Sequence, residues 1–476
     1  MAKKPAKGVV AAGHRLTAEA GVDVLRQGGT AADAAIAALA MACVAEPVLC
    51  SPGGAGFAML RDGATGEVSL VDFFAQTPMR KRARAADGVN EVVVDFGPAT
   101  SAAPGFWAGI EYLHLTGGTI SLAELVKPAV DAARAGIEVT PYQHYLASVV
   151  EPILTVTPSA RALFAPTGKL PRPSERASNY GLAAALEDLA SCGFAAGETG
   201  KAVLAGQAEA GHLSAEDLRV YAAIKRVPIT IDVGGAAVHL NPLPAASGPL
   251  LAHSFRHLTS PGPVDIARAL FATGQARRTS GGDLARLRTM PLRQKGTTHI
   301  SVIDAMGNAC AVTVSNGEGN GHIVGEFGFM MNNILGEEDV NPSGTQDWPE
   351  NTRLSSMMSP AIVEKPDGGL IALGSGGSNR IRSAVFQTVI QLCLNGLDLE
   401  SAILAPRVHL EGDHLDFEGF FEDAVATGLR ELFDDHRTWP ERNMFFGGVH
   451  AAMTTSDGEF AGLGDVRRDG IALVAH

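Results

Sequence analysis

The sequence predicts an α+β fold, because helical patterning dominates its first half and strand patterning its second half. Residues 105–140 and most of 145–225 have helical periodicity, whereas short β-rich segments recur from Thr297 onward. The two kinds of element do not alternate regularly, so the pattern of a doubly wound parallel sheet is missing. With 476 residues, the chain is long enough for one large body or for two or three domains.

Composition argues against several classes of protein. A net charge of −13 disfavours nucleic-acid binding, which requires a basic surface. The 5 cysteines have no CxxC spacing, so we expect reduced thiols, no disulfide framework and no zinc site. The most apolar window, residues 34–45, is too short to cross a bilayer, which takes roughly 20 residues. We therefore expect a cytoplasmic protein that binds neither membranes nor nucleic acid.

Motifs for nucleotide or metal chemistry are absent or weak. The sequence has no P-loop, no HExxH and no GxSxG. The segments "SPGGAGF" and "LGSGGSNR" lack the GxGxxG spacing of dinucleotide sites. His409 and His414 lie among several carboxylates, but a solvated acidic pair of strands explains that segment better than a metal site. We expect neither a metal nor a cofactor.

The N-terminal region predicts two consecutive helices. The first begins near Thr17 and ends at Gly28 and Gly29. Thr30 and Asp33 then form a capping box in which Asp replaces the usual Glu or Gln. Because nearly every residue of the second helix is Ala or aliphatic, we expect it to be packed on all sides. A glycine cluster, "SPGGAGFAML", leads from it into a strand that returns through "GEVSLVDFF".

Strand patterning increases along the rest of the chain. Strands are predicted at "VPITIDV" and "AAVHLNPLP", with helix at 248–276. Residues 278–296 are polar, basic and glycine-containing, as is typical of an exposed mobile connector. Beyond them we expect one helix around 383–395 among strands at "THISVID", "ACAVTVS", "FGFMMNN", "PAIVEK" and "LIALGS".

The segment "KGTTHISVID" begins the strand-rich half and predicts a hairpin with "ACAVTVS". Residues alternate in strand fashion from Thr297 onward, and "DAMGN" is the turn. If the turn is centred on Met306, Thr297 faces Ser315; if it is centred on Met306 and Gly307, Thr297 faces Asn316. Either register places a polar side chain beside this threonine.

A threonine behind a glycine at the start of a strand permits one specific chemistry. The Thr297 hydroxyl can attack the Gly296 carbonyl, and water can cleave the resulting ester. Thr297 would then carry both a nucleophile and a free α-amine, whose ordinary pKa of about 7.7–8.0 suits a general base. The alternative is a strand entry rich in β-branched residues, which the spacing alone favours.

Several motifs in order resemble the γ-glutamyltranspeptidase family of N-terminal-nucleophile hydrolases. They run almost end to end: "AAGHRLTAEAGVDVLRQGGTAADAAIAALAMACVAEP", "GGAGFAMLRD", "APGFWAGIEYLHLTGG", "GTTHISVIDAMGNACAVTVS", "GEFGFMMNN", "RLSSMMSP" and "LGSGGSNRI". The resemblance implies a four-layer αββα sandwich and autocleavage between Gly296 and Thr297. Residues 1–296 would form the larger portion and 297–476 the smaller, and the two fragments would remain together as a heterodimer.

The resemblance also assigns roles to residues of this chain. Thr297 matches the nucleophile, and Ser315 matches a second hydroxyl residue that hydrogen-bonds it. Gly376 and Gly377 match the glycines whose backbone N–H groups form the oxyanion hole. His299 is better explained as a packed, hydrogen-bonded residue than as a catalytic one. The residues implied in substrate binding are Asn316, Glu337, Ser355 and Ser356.

Three positions depart from the family's substrate-binding pattern. Phe74, in "DFFAQTP", occupies the place of the arginine that clamps the α-carboxylate of a γ-glutamyl group, and a phenyl ring cannot replace a bidentate guanidinium. After the Asn pair, Ile334 and Glu337 stand where a polar residue and an Asp are usual. Arg80 or Arg82 is a candidate substitute clamp; the alternative is a solvated basic loop.

These departures predict a small-molecule acyl donor other than glutathione, either a glutaryl-like acyl compound or a modified γ-glutamyl amide. The acyl group would pass through Thr297 to water or to an amine. A second interpretation is a cephalosporin-acylase-like amidase on the same scaffold. A third, from another class, is an uncleaved member of the family that binds a metabolite without catalysis.

Overall fold

The computed structural model describes residues 7–81, 96–279, 296–337 and 348–476 of the chain. Most of the predicted connector 278–296, and the candidate clamp Arg82, therefore lie outside the described residues. Within the described ranges, no helix is long and apolar enough to cross a membrane.

Helices occupy much of the first half, as predicted, and recur after residue 379. Those in the described residues are α1 (Arg15–Arg26), α2 (Ala31–Ala45), α3 (Phe106–Gly117), α4 (Leu122–Ala135), α5 (Pro141–Val149), α6 (Glu151–Leu154), α7 (Pro158–Phe164), α8 (Tyr180–Ala196), α9 (Glu198–Gln207), α10 (Ala215–Val220), α11 (Ser247–His257), α12 (Pro263–Thr279), α13 (Arg380–Cys393), α14 (Leu399–Leu404) and α15 (Asp423–Leu432).

Strands come from both halves of the chain. Those described are β1 (Gly8–Ala12), β2 (Ala55–Arg61), β3 (Val68–Phe73), β4 (Ile137–Glu138), β5 (Arg176–Ala177), β6 (Ile224–Arg226), β7 (Ile229–Val233), β8 (Ala236–Leu240), β9 (Gly296–Asp304), β10 (Ala309–Gly317), β11 (Ala361–Glu364), β12 (Leu370–Gly376), β13 (Val408–Glu411), β14 (His414–Glu418), β15 (His436–Trp439), β16 (Gly448–Thr454), β17 (Phe460–Gly464) and β18 (Ile471–Ala475).

Two antiparallel sheets pack face to face. The first has the order β18-β1-β9-β10-β2-β3-β6 and the second β17-β16-β12-β11-β8-β7. Phe57 and Met59 of the first sheet pack against Ile362 and Ala372 of the second in a core between them. Helices α1 to α4 and α8 cover the outer face of the first sheet, and α11 to α15 cover the second. This is the expected four-layer αββα sandwich.

The first two helices agree closely with the sequence. Thr30 and Asp33 form the predicted capping box of α2, and nearly every residue of that helix is buried. Helix α1 begins at Arg15, slightly before the predicted start near Thr17, because the imidazole of His14 caps it: Nδ1 accepts a hydrogen bond from the Leu16 N–H at 3.1 Å.

Two segments of the second half differ from the prediction. "FGFMMNN" is not a strand: Gly325 and Gly328 have positive φ angles and turn the chain, which leaves only single bridges at Met330 and Met331. The acidic segment after His409 is a strand pair, β13 and β14, as expected, but only part of it is solvated. Asp413, at the turn, is exposed, whereas Glu418 is fully buried and pairs with the equally buried Arg467.

Candidate active site

Thr297, the predicted nucleophile, lies at the start of the central strand β9 and is 5% exposed. Its side of the strand faces the second sheet, together with His299, Ser301 and Ile303. The His299 ring is held by the hydroxyls of Thr313 and Ser301, each at 2.8 Å. Burial lowers the pKa of His299 well below its ordinary value. His299 is thus a neutral, packed histidine.

A β-bulge stands opposite Thr297. From Ala309 to Val314, strand β10 pairs with β9 in the register expected for a turn centred on Met306, but Gly317 pairs with Gly296 and the register has shifted by one residue. Ser315 and Asn316 therefore both lie opposite Thr297, and each proposed register is right for one part of the hairpin. Bulges of this kind re-aim side chains and are frequent next to active sites.

The bulge directs the Ser315 hydroxyl at the bond expected to be cleaved. Ser315 Oγ donates a short hydrogen bond to the carbonyl oxygen of Gly296. The same Oγ accepts a hydrogen bond from the Gly317 N–H at 2.9 Å, which holds it in place. The φ of Gly317 is 64°, a left-handed value that favours glycine at this corner.

Gly376, the last residue of β12, lies against the start of β9. A Cβ atom at Gly376 would overlap the carbonyl oxygen of Thr297, so only glycine allows the end of β12 to approach this closely. Gly377 follows with a φ of 126°. The tertiary structure thus brings together Thr297, Ser315 and the two glycines, four residues that the sequence assigned to catalysis.

Two of the four predicted substrate-binding residues lie beside the bulge. Asn316 is 2% exposed, and its Oδ1 has no hydrogen-bond partner among the described residues. The Glu337 carboxylate borders Gly317, where a Cβ atom would stand 2.5 Å from Glu337 Oε1. Asn316 thus lies opposite Thr297, and the Glu337 carboxylate lies against Gly317, the strand partner of Gly296. Their roles toward a substrate remain predictions.

Ser355 and Ser356 lie in the segment that leads into β11. Ser356 is buried; its Oγ accepts from the Met358 N–H at 3.1 Å, and its carbonyl accepts from the Ala246 N–H at 3.0 Å. No hydrogen bond within the described part of the chain links either serine to Thr297. Their assignment as substrate ligands also stays a prediction.

Phe74 is packed in the core between the sheets. Its ring is 3% exposed and stacks on Phe57 with 5.2 Å between ring centroids. The nearby Arg353 is not a free clamp, because its Nη1 donates to the Phe74 carbonyl at 2.6 Å and its Nη2 to the Ala222 carbonyl at 2.7 Å. Arg80 is exposed. The Phe74 side chain therefore offers no charge, and its correspondence to the family's arginine stays a prediction.

Sequence reasoning missed one buried carboxylate behind β9. Glu46 follows α2; its Oε1 accepts from the Thr17 hydroxyl at 2.8 Å and its Oε2 from the Thr298 hydroxyl at 2.7 Å. Burial raises the pKa of Glu46 to about 7, although the two hydroxyl donors oppose the rise. The sequence signal was a lone Glu ending an apolar helix, together with the second threonine of "GTTH".

No group of three or more potential metal-ligating side chains occurs in the ranges that the structure describes. His409, which the sequence offered as a weak metal-ligand candidate, is hydrogen-bonded within the core, with its Nδ1 2.8 Å from Ser383 Oγ.

Comparison with solved structures supports the fold. The cephalosporin acylase from Bacillus halodurans superimposes with a TM-score of 0.86 at 23% identity, over 98% of this chain and 96% of that chain. At this identity the likeness establishes the αββα architecture alone.

Sequence comparison gives relatives of two kinds. The Acylase ACY 1 proenzyme of Pseudomonas sp. (strain SE83) is 27% identical over 98% of this chain and 94% of its own length. The glutathione hydrolase proenzyme of Escherichia coli (strain K12) is 26% identical over 97% and 90%. The family model described as Gamma-glutamyltranspeptidase matches residues 17–261 and 251–475. Because these matches span nearly the whole sequence, the chain belongs to the γ-glutamyltranspeptidase family.

Proposed function

We propose that this protein is an N-terminal threonine amidohydrolase and acyltransferase that matures by cleavage between Gly296 and Thr297. It would transfer a γ-glutamyl or related acyl group through an ester on Thr297 to water or to an amine. The observation that carries the proposal is the hydrogen bond from Ser315 Oγ to the Gly296 carbonyl, at the point where β12 meets the start of β9.

Maturation would begin with attack of Thr297 Oγ on the carbonyl carbon of Gly296. Ser315 donates to the oxygen on which negative charge develops, which stabilises the tetrahedral intermediate. The C–N bond then breaks, the hydroxyl proton passes to the departing nitrogen, and an ester joins Gly296 to Thr297 Oγ. Water hydrolyses this ester, leaving a carboxylate on Gly296 and a free hydroxyl and α-amine on Thr297.

The interleaved sheet order supports a stable heterodimer after cleavage. Strand β1, from the larger portion, pairs with β9 on one side and β18 on the other, both from the smaller portion. Strand β2 pairs with β10 in the same way. Separating the fragments would expose these buried strands to water, so we expect the portions 1–296 and 297–476 to stay associated.

In the mature enzyme, the Thr297 α-amine would act as the general base for its own hydroxyl. With an ordinary pKa of about 7.7–8.0 it can accept a proton near neutrality. The hydroxyl attacks the donor's amide carbon, the backbone N–H groups of Gly376 and Gly377 hold the oxyanion, and the amine leaves with the proton. Water or an acceptor amine then takes the acyl group from Thr297.

Phe74 bears on the choice of donor. A phenyl ring packed on Phe57 offers no charge to an α-carboxylate, which favours a glutaryl-like acyl group or a modified γ-glutamyl amide over glutathione. The same observation supports the second candidate, an acylase-like side-chain amidase, because it shares the catalytic residues and one relative is named an acylase.

We propose a cytoplasmic location only because the five cysteines are free thiols.

The test is the intact mass of purified wild type beside Thr297→Ala, with Thr116→Ala, an exposed helical threonine, as the matched control. The 49.4 kDa chain should give fragments of roughly 31 and 19 kDa in wild type and control. Thr297→Ala should remain whole. Rates of release from γ-glutamyl and glutaryl anilides then separate the two donor classes. A wild-type chain that stays uncleaved would refute the proposal and favour a non-catalytic metabolite-binding protein.

A further inference from the structure

Arg468 is a buried cation next to the predicted oxyanion glycines. It is 3% exposed, and the aliphatic part of its side chain crosses Gly448, the partner of Gly376 in the sheet. Its Nη1 lies 3.1 Å from the position of a Cβ at Gly376, and its Nη2 lies 3.1 Å from that of Gly377. The Thr297 carbonyl borders the same point at Gly376. The guanidinium therefore adjoins the backbone that would hold the oxyanion.

Arg468 differs from its buried arginine neighbours in having no counterion among the residues that the structure describes. Arg467 Nη2 lies 2.6 Å from Glu418 Oε2, and Arg407 Nη2 lies 2.7 Å from Asp465 Oδ2. Arg468 donates a long hydrogen bond of 3.4 Å from Nη2 to the Met444 carbonyl, and its guanidinium also interacts with the neutral Tyr142 hydroxyl. Within the described residues it forms no ion pair with a carboxylate, and its Nε has no hydrogen-bond partner. Burying an unpaired charge destabilises a protein. A role for the charge itself would explain why it is tolerated.

Apart from the two paired arginines, none of the other titratable groups described around Arg468 supplies a positive charge. Burial lowers the pKa of His450, on β16, to about 4, so it is neutral. Tyr142, on α5, has its pKa raised by burial and is neutral as well. Glu46 and Asp469 are carboxyl groups whose pKa values burial raises, so neither adds a cation. An arginine, by contrast, stays protonated throughout the neutral range.

From this arrangement we propose that Arg468 is a positioning residue whose fixed positive charge stabilises the oxyanion at Gly376 and Gly377 and disfavours protonation of the Thr297 α-amine. The inference rests on the proposed function, since it requires a cleaved chain. A cation close to developing negative charge in a water-poor site stabilises the transition state. The same cation opposes a second positive charge on the nearby amine and keeps it available as a base.

The test compares the processed wild type with Arg468→Gln, which removes the charge, and Arg468→Lys, which keeps it. Arg437→Gln, at an exposed arginine, is the matched control. We expect Arg468→Gln to lower kcat roughly ten- to hundred-fold with little change in KM, and Arg468→Lys to recover most of it. The acidic limb of kcat/KM should move to higher pH in Arg468→Gln, because the amine is then protonated more easily.

A second readout does not depend on a known donor. Competitive labelling with acetic anhydride, followed by mass spectrometry of the peptide that begins at Thr297, measures the pKa of its α-amine directly. That pKa should be higher in Arg468→Gln than in wild type or Arg468→Lys. Far-ultraviolet circular dichroism of each variant establishes that it is folded before the comparison.

Three results would overturn the inference. Equal amine pKa values and equal kcat in wild type and Arg468→Gln would mean that the charge has no catalytic effect. A rise in KM alone, limited to donors that carry a carboxylate, would make Arg468 a substrate ligand instead. A wild type that never cleaves removes the proposed function and this inference together, whereas the first two results leave the proposed function standing.

Discussion

Replacing Glu46 with glutamine should remove a pH-dependent loss of stability that this buried carboxyl group imposes. The side chain is fully buried behind β9 and accepts hydrogen bonds from Thr17 and Thr298. Burial raises its pKa from 4.5 to about 7, because the two hydroxyls replace only part of its hydration. In the unfolded chain, the same group titrates near 4.5.

The size and sign of the effect follow from these two values. At pH values between these two pKa values, folded Glu46 holds a proton that it has released in the unfolded chain. The contribution of Glu46 to stability is therefore complete below its unfolded pKa and is lost as the pH rises through about 7. A pKa difference of one corresponds to about 1.4 kcal/mol, so the whole loss is roughly 3 kcal/mol. Glu46→Gln has no such proton to release.

The assay is urea denaturation of Thr297→Ala, which should keep the chain whole under the proposed function, and of Thr297→Ala with Glu46→Gln. Between about pH 4.5 and about pH 8.5, the free energy of unfolding of the first should fall by roughly 3 kcal/mol relative to the second. Asp33→Asn is the control. Burial alone would raise the pKa of Asp33, but hydrogen bonds from Thr119, Thr30 and Ile120 outweigh it and lower the pKa, so Asp33 does not titrate in this range.

A constant difference between the two proteins across this pH range would refute the reasoning. It would mean that Glu46 titrates at its ordinary pKa, and therefore that water reaches it or that another group compensates for its burial. A difference that changes in the opposite direction would mean that the hydroxyl donors outweigh burial.

Two further predictions concern the proposed cleavage site. Ser315→Ala loses the hydrogen bond to the Gly296 carbonyl and should slow cleavage roughly hundred-fold in a time course of intact mass. Ser315→Thr keeps a hydroxyl and should cleave at a rate close to wild type. Undiminished cleavage in Ser315→Ala would count against the role assigned to Ser315. Gly376→Ala, whose methyl would overlap the Thr297 carbonyl, should block cleavage or destabilise the chain by roughly 1–3 kcal/mol. The control is Gly274→Ala, where a Cβ meets nothing within 4 Å, and it should leave cleavage and stability near wild type. If Gly376→Ala and Gly274→Ala behave alike, the close approach of the two sheets at Gly376 is contradicted.

Local features of the fold were predictable because their causes are local. The capping box of Thr30 and Asp33 depends on two side chains three residues apart, and the structure contains it as expected. The hairpin of β9 and β10 depends on alternation and a short turn, and its first six pairs have the expected register. The prediction failed at "FGFMMNN", where glycines with positive φ override a strand-like composition.

The candidate site was predictable only where the family resemblance or the hairpin placed its residues. Thr297 and Ser315 were paired by counting along two adjacent strands, but the bulge that also brings Asn316 opposite Thr297 was not. A bulge inserts an extra residue without changing the alternation of the sequence around it. Contacts with Glu46 and Arg468 were missed because these residues lie far from Thr297 along the chain.

By itself, the sequence determined the α+β character, the capped helices, the hairpin that begins at Thr297 and the resemblance to a family of amide-cleaving enzymes. Only the tertiary structure decided what surrounds that threonine. The contact of Gly376 with Thr297 arises from the packing of two sheets, and the unpaired charge of Arg468 depends on which carboxylates its neighbours take. Such contacts depend on burial and on the partners available in three dimensions, and neither is encoded in the spacing of residues along one strand or helix.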